Sequence, residues 1–280
     1  MIDEDIARYL GHLKYVQGGA KNTILAYRTD LQQFRQVLRL DQGTPVDTAG
    51  LSRASLKAYF EWLARKQFRP ATVARKLAAL RSFFGYMEEN QGLATKTLVK
   101  SLRLPAPERK QPRSLSRAQL ARLLEAPSGG TSARDLRDSA ILSFVYATGL
   151  RAADAVEVTI HDLNLTRGLL DRPGASTDPL PLGISRHALE RYVKDGRPQL
   201  LRNRGEPALF LNQRGQRLSR QGLWLVVKKW SQACNLGEDV SPYTLRHSLT
   251  RHLLQQGRSR QEVQHLLGLA SPSTIRFLAG

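Results

Sequence analysis

The stretch LPAPERKQPRS, residues 104–114, constrains the fold of this chain more than any other. Pro105, Pro107 and Pro112 each remove a backbone N–H and fix φ, so no regular helix crosses it. Arg109, Lys110 and Arg113 make it basic as well. Before it, apolar residues recur only at helical spacing and no strand pattern occurs; after it, helical and short strand patterns alternate. The sequence therefore predicts an all-helical domain over 1–104, a linker at 105–114 and a mixed domain over 115–280. The fold class is mainly α with a small β element.

The helical part shows three stripes. Ile24, Tyr27, Leu31, Phe34 and Leu38 share one face of a helix that Asn22 or Thr23 could cap. Leu56, Tyr59, Phe60 and Leu63 mark a second helix. Pro70 opens a third, with Val73, Leu77, Leu80, Phe84 and Met87 as its apolar face and Arg69, Arg75, Lys76 and Arg81 among its other residues. In the mixed part Ser116 caps a helix, and 136–147 reads as a buried helix ended by Thr148 and Gly149. Short strands are predicted at 164–170, 180–182 and 208–211. Helices are predicted at 185–192, 221–233, 244–256 and 262–267, and Ser271-Pro272 opens a last turn.

Lys and Arg total 43 against 24 Asp and Glu, a net charge of +19. Such an excess favours a polyanion, of which nucleic acid is the commonest. A membrane surface is the rival, but the basic residues are spread over the chain rather than gathered on one amphipathic segment. Arg outnumbers Lys, and its planar fork suits phosphate. The single cysteine, Cys234, excludes an internal disulfide and a Cys-based zinc site. No metal-ligand spacing recruits the histidines, so no metal or cofactor is expected. The acidic start MIDEDIARYL lacks a signal peptide's basic and apolar regions, and a cytoplasmic, nucleoid-associated protein is expected.

Three segments carry a resemblance. YATGLRAADAVEVTIHDLNL (146–165) is similar to the box around the first catalytic arginine of tyrosine recombinases, with Arg151 in that slot. SPYTLRHSLTRHLLQQG (241–257) resembles their His-x-x-Arg-His box, with Arg246 as the second arginine. VQHLLGLASPST (263–274) resembles the run from the third box toward the nucleophile. NTILAYRTDLQQF and TVARKLAALRSFFGYM are similar to the N-terminal core-binding domain of the Xer-type members. The resemblance covers essentially the whole chain. It implies a SAM-like helical domain and a mixed α/β catalytic-type domain, closing as a C-shaped clamp on double-stranded DNA.

In that family two arginines neutralise the scissile phosphate, a hairpin lysine protonates the leaving 5′ oxygen and a tyrosine attacks phosphorus. Here Arg151 and Arg246 are retained, and four other slots are replaced. Pro173 lies nearest the lysine slot, and no lysine occurs from 165 to 189. Tyr243 stands for the first histidine of the second box, Leu269 for the histidine of the third and Leu278 for the nucleophile. The resemblance also implies a further helix beyond the nucleophile, whereas the sequence stops at Gly280. Leucine cannot attack phosphorus and proline cannot donate a proton. The expectation is DNA binding without cutting, through phosphate contacts from Arg151, Arg246, His247 and Tyr243 and through Arg69, Arg75, Lys76 and Arg81 of the N-terminal domain.

Other readings stay open in the sequence. Arg151 and Arg246 could pair with Asp154 or Glu157. His247 could be a buried structural histidine, while His252 and His265 read as surface residues. The chain could still be a recombinase or nicking enzyme with a relocated nucleophile, Tyr243 or Tyr192. It could also be a protein adaptor. On DNA its partners could be further copies of itself or an active tyrosine recombinase.

Overall fold

A computed structural model describes residues 1–42, 48–92, 112–171 and 178–268. The chain separates into two compact units, Met1–Arg109 and Lys110–Gly280.

The first unit is helical among its described residues: α1 (Ile2–Tyr15), α2 (Lys21–Gln42), α3 (Arg53–Arg65) and α4 (Pro70–Gln91). Leu31, Phe34 and Leu38 of α2 meet Leu56, Tyr59 and Leu63 of α3 and Leu77, Leu80, Phe84 and Met87 of α4 in one core. Tyr27, Phe60 and Val73 are only partly buried at its margin. Helix α1 adds Ile2, Ile6, Tyr9, Leu10 and Leu13 to that core, again at three- and four-residue spacing. Helix α2 begins at Lys21, just before the expected caps Asn22 and Thr23.

The second unit is built on α6 (Ala133–Thr148), which follows α5 (Arg117–Glu125). Leu136, Ala140, Ile141, Leu142, Phe144 and Val145 of α6 are all buried, so this helix forms the centre of the unit. Around it lie α7 (Ala152–Glu157), α8 (Arg186–Arg191) with a π-helical turn at Tyr192–Gly196, α9 (Arg197–Leu200), α10 (Arg220–Ala233), α11 (Pro242–Gln255) and α12 (Arg260–Leu267). The predicted strand at 164–170 is instead a tight hairpin. β1 (Leu163–Asn164) pairs antiparallel with β2 (Leu169–Leu170), which pairs with β3 (Leu180–Pro181). Gly168 turns the hairpin at φ +67°, a conformation that favours glycine. The predicted strand at 208–211 is also corrected. Its residues are buried, but only single bridges form, Thr159 to Ala208 and Leu211 to Arg217. A continuous apolar run reports burial and does not by itself report pairing. No helix of the described residues is long and apolar enough to cross a membrane.

Candidate nucleic-acid interface

The two box arginines are set by three helix ends. Helix α6 stops at Gly149, whose φ of +61° provides the left-handed cap. A Cβ there would lie 2.4 Å from Leu267 Cδ2 and 2.9 Å from Leu249 Cδ2, so the position excludes a side chain by space as well as by conformation. Arg151 follows as the residue before α7, and its side chain is exposed. Arg246, on α11, is 6% exposed. Its guanidinium donates to the Gly149 carbonyl and, at 2.8 Å, to the Leu267 carbonyl. One side chain therefore joins the C-terminal ends of α6 and α12, where unpaired carbonyls carry partial negative charge.

Burial pushes the Arg246 pKa down, and the Arg151 charge adds to that push; Asp154 and Tyr243 oppose it without reversing it. The Arg151 charge thus acts on the Arg246 guanidinium, with Asp154 as a partial counterweight. Among the described residues neither is in an ion pair with Asp154 or Glu157, and Glu157 faces Arg217 at 3.4 Å.

Tyr243 stands one helical turn before His247 on α11. Their ring centroids are 4.0 Å apart, at 53°. The tyrosine is 61% exposed and the histidine 3%. His247 Nε2 is buried with no hydrogen-bond partner among the described residues. Burial, reinforced by Arg246, lowers its pKa from 6.5 to about 4, so the ring is neutral at pH 7. The outward donor of this pair is the Tyr243 hydroxyl rather than the imidazole. Tyr192, the other tyrosine considered as a nucleophile, is fully buried. Its hydroxyl accepts the Leu211 N–H at 3.2 Å, and burial raises its pKa to about 12. It is a core residue. His252 is also buried, against the surface position expected, and bonds the Tyr146 hydroxyl through Nδ1 at 2.9 Å. His265 is exposed, 3.5 Å from Asp178. Pro173, Leu269 and Leu278 lie outside the described residues.

In the first unit the basic residues on α4 and at its N-cap fall into two sets. Arg69 and Arg81 are exposed. Lys76 is 2% exposed; its ammonium bonds Asp30 Oδ1 at 2.9 Å and Gln33 Oε1, and lies 4.9 Å from the Phe68 ring centroid. Arg75 bonds the other oxygen of Asp30 and the Ala26 carbonyl. The expectation that Lys76 faces DNA is therefore corrected: its charge is turned inward and neutralised by a buried carboxylate. Arg75 is half-committed to the same carboxylate. No group of three or more His, Cys, Asp or Glu that could hold a metal ion occurs among the described residues.

Residues 113–277 match the Phage integrase family, and residues 6–91 match the N-terminal SAM-like domain of phage integrases. The chain belongs to the phage integrase family. This phage integrase relative is 38% identical over 279 residues to the tyrosine recombinase XerC of Herpetosiphon aurantiacus, covering 99% of this chain and 90% of that protein. It is 35% identical over 275 residues to the tyrosine recombinase XerD of Pseudomonas aeruginosa, covering 97% and 91%. Its fold is similar to that of XerH recombinase bound to difH substrate (TM-score 0.71, 21% identity, 98% of this chain and 81% of that one). It is likewise similar to a lambda integrase dimer bound to a core site (TM-score 0.72, 17% identity, 99% and 95%). The chain is thus an Xer-like member of the family, mainly helical, with the family's two domain types in their usual order.

Proposed function

We propose that this protein binds double-stranded DNA and does not cleave it. It would organise DNA, regulate transcription or assist an active recombinase of its own family. The observation that carries the reading is the residue at the nucleophile slot, Leu278, in a segment, IRFLAG, without a tyrosine. Pro173 and Leu269 add the loss of the proton donor and of one hydrogen-bond donor, while Tyr243 puts a hydroxyl donor in place of the first histidine. The retained Arg151 and Arg246, two guanidiniums that act on each other without an ion pair to Asp154 or Glu157, suit an anion such as a backbone phosphate. Arg69 and Arg81 would add contacts from the first unit, and the Tyr243 hydroxyl one from the second.

The test is a nicked suicide duplex, which traps any covalent intermediate. The expected outcome is DNA binding with steep salt dependence and no protein–DNA band after denaturation. A second reading rests on the exposure of Tyr243, one turn before Arg246: it could replace the missing nucleophile. A covalent band that disappears in Tyr243→Phe establishes that reading and overturns the first.

A further inference from the structure

A second basic site lies away from the Arg151 and Arg246 pair, where the second unit begins. A cavity of about 320 Å³ is lined by Ser114, Ser116, Arg117, Gln119, Arg251 and His252, among others, and by no carboxylate among the described residues. Its walls are fixed. Leu115 is buried, and its N–H donates to Ser248 Oγ of α11 at 2.8 Å, which holds the incoming chain against that helix. Arg251, also from α11, reaches Ser114 Oγ at 3.1 Å. His252 forms a buried floor, anchored by the Tyr146 hydroxyl. Arg117 and Arg251 are exposed, and among the described residues neither has an acidic partner. Both guanidiniums act on His252: burial lowers its pKa, a hydrogen bond with the Leu115 backbone opposes that, and each of the two charges lowers it further. Two arginines from different helices therefore converge on one recess whose hydroxyls and amide can donate, with no carboxylate among the described residues to satisfy them.

We infer that this cavity takes a single phosphate group, held between Arg117 and Arg251 and supplied by the DNA backbone. It is a phosphate contact separate from the box arginines, and it rests on the DNA-binding reading above. Guanidinium forks match phosphate oxygens in pairs, and two of them on one recess give position as well as attraction.

The experiment measures duplex affinity against salt for the full chain and for the Arg117→Gln/Arg251→Gln variant. Both side chains are exposed, so the variant is expected to fold, and its melting temperature checks this. Loss of one phosphate contact lowers the slope of log affinity against log salt by about 0.9. The Arg117→Lys/Arg251→Lys variant keeps the charge and is expected to keep the slope. If it loses the slope as the Gln variant does, the arginines act through structure and the inference fails. An Arg202→Gln/Arg204→Gln variant removes equal charge from an exposed loop. An equal loss of slope there assigns the effect to net charge and also overturns the inference. So does an unchanged slope in Arg117→Gln/Arg251→Gln; if inorganic phosphate then raises the melting temperature of the wild type and not of that variant, the cavity serves a free phosphate. A flat salt response of the wild type overturns the DNA-binding reading itself, and is seen before any variant is compared.

Discussion

Two buried cations, one from each unit, are treated in opposite ways. Lys76 is closed in by Asp30, Gln33 and Phe68, and its charge is cancelled where it lies. Arg246 is met by two backbone carbonyls and by the field of a second arginine. Carbonyl dipoles satisfy N–H donors without neutralising a full charge. The first cation is complete inside the protein, and the second leaves attraction for an anion from outside. Burial alone therefore does not tell a structural cation from a binding one; the charge of its partners does.

The comparison breaks most visibly at Asp30. Asp30→Ala leaves Lys76 buried without its carboxylate, which costs roughly 3–5 kcal/mol. Urea unfolding is expected to show that loss, while the salt slope of DNA binding by the folded variant stays unchanged. A stability close to that of the wild type would mean that the cluster is not the internal device described here.

Next comes His247, a second potential charge beside Arg246. Its folded pKa of about 4 lies below the ordinary 6.5, so the fold favours the neutral ring. The stability this confers is complete above pH 6.5 and is lost as pH falls toward 4, because the unfolded chain takes the proton first. The full swing is on the order of 3 kcal/mol. Denaturant unfolding at pH 7 and at pH 4 is expected to show a smaller acid loss in His247→Leu than in the wild type. Equal losses would show that this ring is not what acid unfolds.

The smallest changes in stability separate the two box arginines. Arg246→Met removes both carbonyl bonds and is expected to cost about 1–3 kcal/mol together with much of the DNA affinity. Arg151→Gln, on the surface, is expected to change stability by less than about 0.5 kcal/mol. It still lowers the salt slope by about 0.9. If both variants lose stability equally, the contrast between a buried, doubly employed arginine and an exposed one fails.

Much of this was legible in the sequence. The stripes on α2, α3 and α4 became the core of the first unit, and Gly149 and Gly268 end their helices with positive φ. The inward turn of Lys76 is also encoded. Lys76 lies three residues after Val73 and four before Leu80, and Asp30 lies three after Tyr27 and four before Phe34. An acid and a base each at core-face spacing on neighbouring helices are a buried pair in waiting. The net basic charge of α4 does not distinguish that register from a solvent-facing one. The cavity at Arg117 and Arg251 had no such signal, because its arginines are 134 positions apart and meet only through the docking of 114–117 on α11. Tyr243 lies in the second box one turn before Arg246, and Tyr192 lies in no box; the burial of Tyr192 adds a tertiary reason to set it aside.

Gly149 carries no charge and no functional group, yet Arg246 is seated on its carbonyl and the leucines of α11 and α12 occupy the space a side chain would need. A variant library selected for loss of DNA binding would therefore return substitutions at Gly149 alongside those at the arginines. Their phenotype would mimic a missing charge in a protein whose every charge is intact.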